Sequence, residues 1–326
     1  MEPNAPVAQM QNIDGPVALF GFGWKLFTNH WKILTPILVL PTILRYAGTL
    51  LLRPHQPALN VISILLTIVS VALSIAMGPA AVDAVHRIVT GSSAGMSLKS
   101  QYKIGFGYFW SALLLGIIFG CALVGGGMLF IIPGVIIGIY GSFYIYCLVI
   151  DGKRGFSAFT ESYSLVRGRW GAVVGRTLFL GLIVLGGVLV VLGLGFLIGL
   201  ATGMDVSFVA QPGAAPSLAV QLITFVLNLI LISIISPIAI GYTYRMYASL
   251  KATRQPEAPV KTFKGWLIAF MILGPIAFIL IAGVGIAAVA LNSLHEARMN
   301  APQVNSASTT VQYSGTNPEA GTTTLR

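Results

Sequence analysis

Four polar side chains, Arg45, Asp83, Arg176 and Asn228, lie within or at the ends of long apolar stretches of this 326-residue chain. An ionisable group at membrane depth costs at least ~2.5 kcal/mol on insertion scales, so a partner, a wet cavity or a snorkelling stem must hold it. Arg176 lies six residues past Trp170, about 9 Å along a helix. Its guanidinium could bind an anionic head group, or its stem could carry the charge back to the polar side. Arg45, late in the first apolar stretch, would snorkel the opposite way. Asp83 precedes Arg87 by one helical turn, the spacing of an intrahelical ion pair. Asn228 stands in the middle of an apolar run, where a carboxamide bridges helices or lines a transport path.

Other chemistry is sparse. The four histidines, His30, His55, His86 and His295, are far apart, without HExxH spacing or a CxxC partner, so no metal and no other cofactor is expected. Cys121 and Cys147 fall in apolar runs as small hydrophobes. No GxSxG, phosphate-binding loop or dinucleotide fingerprint occurs between a strand and a helix. For an enzyme acting on lipid, Glu161, Ser162 and His86 are the nominees. No crossing carries paired carboxylates or an arginine ladder, features of proton-coupled transporters and voltage sensors. Gly116/Gly120, Gly134/Gly138 and Gly195/Gly199 have GxxxG spacing and are read as intramolecular packing sites.

The elements that must position these residues are set by composition. Hydrophobic residues make up 56% of the chain and charged residues 9%, against roughly 25% charged in soluble domains. The expected fold is an all-α polytopic transmembrane bundle: six core helices, amphipathic interfacial helices and one appended C-terminal crossing. About 20 apolar residues span a ~30 Å hydrocarbon core, and long unbroken runs favour helices over barrel strands. The crossings are read at about 33–52, 58–81, 108–131, 133–150, 172–201, 218–242 and 266–291. Pro36, Pro41, Pro237 and Pro275 lie inside them and should kink them, with neighbours satisfying the freed carbonyls. The turn before the fourth crossing falls at Ile132-Pro133-Gly134 or at Gly125-Gly126-Gly127, and a proline in the first helical turn favours the former.

Interfacial helices are expected to flank the crossings. Asp14-Gly15-Pro16 starts a helix over Val17 to Asn29, whose Phe20, Trp24, Phe27 and Trp31 form one aromatic stripe. Near Gly155 to Arg167, Phe156, Phe159, Tyr163 and Val166 share a face, and Gly168 supplies the stop. Trp24 to Trp31 matches Tyr163 to Trp170 in spacing, and Trp110 follows another aromatic stretch. The core is therefore read either as three units of interfacial helix, tryptophan and hairpin, or as an ordinary aromatic belt. Residues 1–16 and 300–326 are expected to be disordered, 251–264 to be a linker and 265–299 to hold the seventh helix with its extension. The first eleven residues lack the basic start of a cleavable signal.

The charge of +10 is dealt out between apolar segments, so nucleic acid is not the expected partner. Lys25, Lys32, Arg87, Lys99, Lys103, Lys153, Arg154, Arg167, Arg169, Arg176, Arg245, Lys251, Arg254, Lys261 and Lys264 fall on one side, and Arg45, Arg53, Arg298 and Arg326 on the other. This split of 15 to 4 puts the N-terminus in the cytoplasm and, with seven crossings, the C-terminus outside the cell membrane. The expected partners are the lipid bilayer, with anionic lipid at the cytoplasmic face, and other membrane proteins.

Ile131 to Asp151, with its Ile132-Pro133-Gly134 turn and terminal acid, is followed by a helix carrying Ala158, Ser162, Leu165, Gly168 and Trp170. This stretch resembles the membrane-domain family named after glycerophosphoryl diester phosphodiesterases and related six-helix bacterial membrane proteins, over roughly residues 17–250. The likeness implies a six-helix membrane domain. Catalysis does not carry over, because that family's phosphodiesterase is a separate soluble domain. Ala287 to Arg298 looks like the end of a type IV pilin helix without the cleavage signature. The expected function is non-enzymatic membrane organisation or partner binding, with transport or binding of a small anion or lipid as the alternative.

Overall fold

A computed structural model describes residues 13–51, 57–129, 131–201 and 218–253, and single positions between 265 and 293. The described residues are helical, with no strand among them. They form α1 (Pro16–Leu51), α2 (Pro57–Val89), α3 (Leu98–Gly107), α4 (Phe109–Leu129), α5 (Ile131–Gly141), α6 (Tyr144–Val149), α7 (Phe156–Val166), α8 (Trp170–Ala201) and α9 (Leu218–Ala252). Among the described residues six segments are long and apolar enough to cross a membrane: Pro16–Leu51, Ala58–Val89, Phe109–Gly127, Ile132–Val149, Trp170–Ala201 and Leu218–Ala252.

The first element, α1, is two helices that meet at a kink, close to where the sequence separates them. A proline in its first turn costs no hydrogen bond, and the helix bends at His30, whose backbone leaves the helical region (φ −130°, ψ 18°). Before the bend, Leu19, Gly23 and Leu26 are buried, while Trp24 and Trp31 on the aromatic stripe stay about half exposed (46% and 50%). Gly23 lets α1 meet α9 at backbone distance: a Cβ there would lie 2.5 Å from the Ile238 carbonyl oxygen, and one on Gly241 3.0 Å from the Gly23 Cα. After the bend α1 runs antiparallel to α9. Thr35 Oγ1 donates to the Ser233 carbonyl at 3.3 Å, and the Tyr46 and Phe225 rings lie 4.4 Å apart.

Prolines create two of the polar contacts between helices. Pro41 has no N–H to offer the carbonyl four residues back, and that carbonyl, of Ile37, accepts the Tyr102 hydroxyl of α3 at 2.6 Å. Pro237 frees the Ser233 carbonyl in the same way, and its partner is the Thr35 hydroxyl. The expectation that neighbours satisfy proline-freed carbonyls holds at both places.

Several boundaries differ from the sequence reading. The second helix continues past Ala81 to Val89 and the last continues past Tyr242 to Ala252, so Lys251 belongs to a helix and not to a linker. Gly125 to Gly127 stay helical within α4, and Pro133 is the third residue of α5. The fourth crossing is broken: α5 stops at Gly141 and α6 restarts at Tyr144. The break is held by Ser162 of α7, which accepts from the Phe143 N–H at 3.1 Å and donates to the Tyr140 carbonyl at 2.6 Å. A hydrophobicity pattern is blind to such a break, because one serine, Ser142, does not interrupt the apolar run around it. The start, expected to be disordered through residue 16, is docked from Ile13, which is buried.

The short helices fill one end of the bundle. Ser97 and Ser100 form a capping box that starts α3, and Gln101, Tyr102 and Gly105 are its buried face. On α7, Ala158, Phe159, Ser162, Leu165 and Val166 are buried, and Gly168 beyond it adopts φ 78°, the left-handed stop expected there. Buried hydrophobics concentrate at this end, among them Leu19, Leu26, Val85, Phe143, Leu148, Phe159, Tyr242 and Leu250. Toward the other end, Ile64, Leu65 and Ile68 of α2, Leu178, Leu182, Leu185 and Leu189 of α8, and Val226 and Ile230 of α9 are exposed. Such an apolar belt suits a hydrocarbon solvent.

The seventh crossing, its linker beyond Thr253 and the 300–326 tail lie mostly outside the described residues. Ile268, Ile272 and Ile276 are helical and exposed, as are Ile279 and Leu280 of a second compact unit, Ile279–Arg326.

Candidate functional site

The polar side chains gather in three knots at the packed end, each anchored on the last turns of α9. There Tyr242, Tyr244 and Tyr247 fall within six residues. Neighbours two positions apart on a helix point to nearly opposite sides. The Tyr242 and Tyr244 hydroxyls accordingly serve different neighbours, α8 and α2.

The first knot holds Arg176. Its Nε donates to the Asp14 carbonyl at 2.7 Å, Nη2 to the Ile13 carbonyl at 2.7 Å and Nη1 to the Ala172 carbonyl of its own helix at 2.8 Å. The Tyr242 hydroxyl donates to the Arg176 carbonyl at 2.8 Å. Asp14 also receives Arg245, whose Nε lies 2.7 Å from Oδ2, and the Arg245 guanidinium sits 5.7 Å from the centre of the Phe22 ring. Two arginines from different helices therefore converge on Asp14, two residues before α1.

The second knot holds Asp83. Arg87 reaches it one turn on at 2.7 Å, the pairing that the spacing suggested. With its amide nitrogen turned toward acceptors, buried Gln101 of α3 donates to Asp83 Oδ2 and to the Ala80 carbonyl, both at 3.2 Å. Beside it, His86 Nδ1 and the Tyr244 hydroxyl are 3.0 Å apart. Burial pushes the Tyr102 hydroxyl up to about 12, so at neutral pH it remains the donor that Ile37 requires.

The third knot was not singled out from the sequence, although Asp151 marks the end of the fourth crossing. Its Oδ2 accepts the Tyr247 hydroxyl at 2.6 Å, and its Oδ1 pairs with Lys251. Lys251 also lies 5.7 Å from the centre of the Tyr247 ring. Nearby, Arg169 bonds Thr253 Oγ1 and the Leu250 carbonyl, fastening the start of α8 to the end of α9. Tyr242-x-Tyr244-Arg245-x-Tyr247 was the available signal for this cluster, but no spacing rule says which helix each tyrosine meets.

The four sequence candidates do not converge on one point. Arg176 and Asp83 both sit at the packed end, in separate knots. Asn228 donates to the Thr224 carbonyl at 2.9 Å within its own helix and lies fourteen residues before Tyr242, about 21 Å along α9. Arg45 is exposed, close to the Tyr46 and Phe225 contact. The enzyme nominees are likewise divided: Ser162 holds the α5–α6 break, and His86 meets Tyr244. Among the described residues no three metal-ligating side chains come together.

Among the described residues, fold and polar knots together define an all-α bundle with six segments long and apolar enough to cross a membrane, tied by charged and hydroxyl groups at one end. No protein-family model, curated protein or solved structure matches this chain. The resemblance noted above therefore rests on its motif residues, and these have structural work: Ala158, Ser162 and Leu165 are buried, Gly168 turns the chain and Asp151 ties α9.

Proposed function

We propose that this chain is a non-enzymatic integral membrane protein that organises the membrane or docks partners at its cytoplasmic face, in a six-helix family of the kind its motif resembles. The observation that carries this reading is how the polar groups are used. Arg176, Asp83, Asp151, Ser162 and Tyr102 each bond another helix or the strap before α1, which makes them ties within the bundle. The outward features are interfacial: the half-exposed Trp24 and Trp31 beside exposed Lys25 and Lys32, and exposed Lys99, Lys103, Lys153 and Arg154 near α3 and α7. Each basic residue near an anionic surface contributes about 1 kcal/mol, and indole rings favour the interface. The orientation that fits is an N-terminus in the cytoplasm and a C-terminus outside the cell membrane.

The alternative, a transporter or binder of small anions or lipid, is favoured by the two arginines at Asp14. The two readings separate in proteoliposomes loaded with small anions. The scaffold reading expects leakage equal to that of protein-free vesicles. Protein-dependent flux that Arg176→Ala abolishes would overturn it in favour of transport.

A further inference from the structure

The strap formed by Ile13, Asp14 and Gly15 meets two guanidiniums with three oxygens: the Ile13 and Asp14 carbonyls on Arg176 and the Asp14 carboxylate on Arg245, each at 2.7 Å. We propose that Arg176 and Arg245 form a phosphate-binding site which this strap occupies from within, and that the phosphomonoester headgroup of an anionic lipid replaces it. The proposal deepens the lipid contact above and rests on that reading for the source of its ligand.

Charge is the first argument. Among the described residues Arg176 donates to neutral carbonyls, and the Asp14 carboxylate pairs with Arg245, so two permanently cationic groups meet the strap and one carboxylate. A phosphomonoester carries about −1.5 to −2 at neutral pH and balances both, whereas a phosphodiester only equals the aspartate it displaces. Three acceptor oxygens on one phosphorus also match the planar forks of two arginines.

Position is the second. Leu178, two residues beyond Arg176, begins the exposed apolar series on α8, which puts Arg176 at the edge of the belt, where headgroups lie. The side chains of Arg245 and Asp14 are 49% and 32% exposed, so a headgroup can reach them. Nothing packs over the strap at Gly15, where a Cβ would meet no atom within 4 Å. Burial of Ile13, the arginine bonds and the Leu19 N–H to the Gly15 carbonyl at 3.0 Å hold it down.

Native mass spectrometry of the full chain, titrated with phosphatidic acid, phosphatidylglycerol or phosphatidylcholine, tests the assignment. Asp14→Asn removes the carboxylate that competes for Arg245, and phosphatidic acid should then bind about tenfold more tightly, a gain that misfolding cannot mimic. Arg245→Gln, at a half-exposed position, should weaken phosphatidic acid toward the level of phosphatidylglycerol and leave phosphatidylcholine unchanged. Inorganic phosphate that competes for the site assigns it to a soluble phosphomonoester; phosphate that fails to compete assigns it to the lipid. Equal phosphatidic acid binding by the parent chain, Asp14→Asn and Arg245→Gln overturns the proposal. If neutralising Lys99 and Lys103 abolishes all preference for anionic lipid while Arg245→Gln does nothing, the surface contact stands and this site falls.

Discussion

At the scale of single residues, hydroxyl groups do much of the joining. Tyr102 is the clearest case, because Pro41 leaves its partner carbonyl without the usual N–H donor. Tyr102→Phe should cost about 1–3 kcal/mol, the penalty of a buried acceptor left without a donor, seen as a lower Tm in detergent. Pro41→Ala restores an N–H for the Ile37 carbonyl, so the same tyrosine change should cost less in that background, a coupling that a double-mutant cycle reads directly. The tyrosine also predicts a pH dependence. Its folded value is raised to about 12 from an ordinary 10.0, so the unfolded chain releases the proton first. The contribution is full below pH 10 and is lost as pH rises toward 12. Denaturation profiles should show that loss in the parent chain and a smaller one in Tyr102→Phe. The polar types at these positions were legible in the sequence. Their partners were not, since Tyr102 and Ile37 lie 65 residues apart.

Between elements, small residues decide how closely helices approach. Gly105 of α3 lies against α2, where a Cβ would come within 2.3 Å of the Ala76 carbonyl oxygen. Backbone atoms cannot rotate away as a side chain can, so Gly105→Ala should separate the helices and destabilise the fold by about 1–3 kcal/mol. Gly107→Ala, where a Cβ meets nothing within 4 Å, is the matched control, and Tm should fall for the first and hardly move for the second. GxxxG spacing found one close approach, Gly134 of α5 with a Cβ 2.9 Å from the Gly127 nitrogen of α4, but not this one: Gly116 and Gly120 face open space, and Gly105 has no such partner four residues away. Two glycines one turn apart describe one surface of one helix. A close approach needs a matching surface on another, as Gly23 finds at Gly241.

For the bundle as a whole, the consequential feature among the described residues is asymmetry along the helices. Charged, aromatic and buried groups crowd one end, while the other is an apolar belt on α2, α8 and α9. Reporter fusions test the orientation proposed for it: a fusion after Lys103 should report the cytoplasm, and one after Arg326 the opposite side. A cytoplasmic reporter at Arg326 would contradict either the seventh crossing or the orientation. Helix type, the apolar lengths and the basic loops could be read along the chain because each depends on near neighbours: composition over ~20 residues sets solvent preference, and periodicity sets which face is apolar. The α5–α6 break and the convergence of Arg176 and Arg245 on Asp14 could not. Each depends on a contact between residues far apart in sequence, 231 positions in the case of Asp14 and Arg245. No local pattern encodes such a pairing, because the energy that selects it arises only when the helices are packed together.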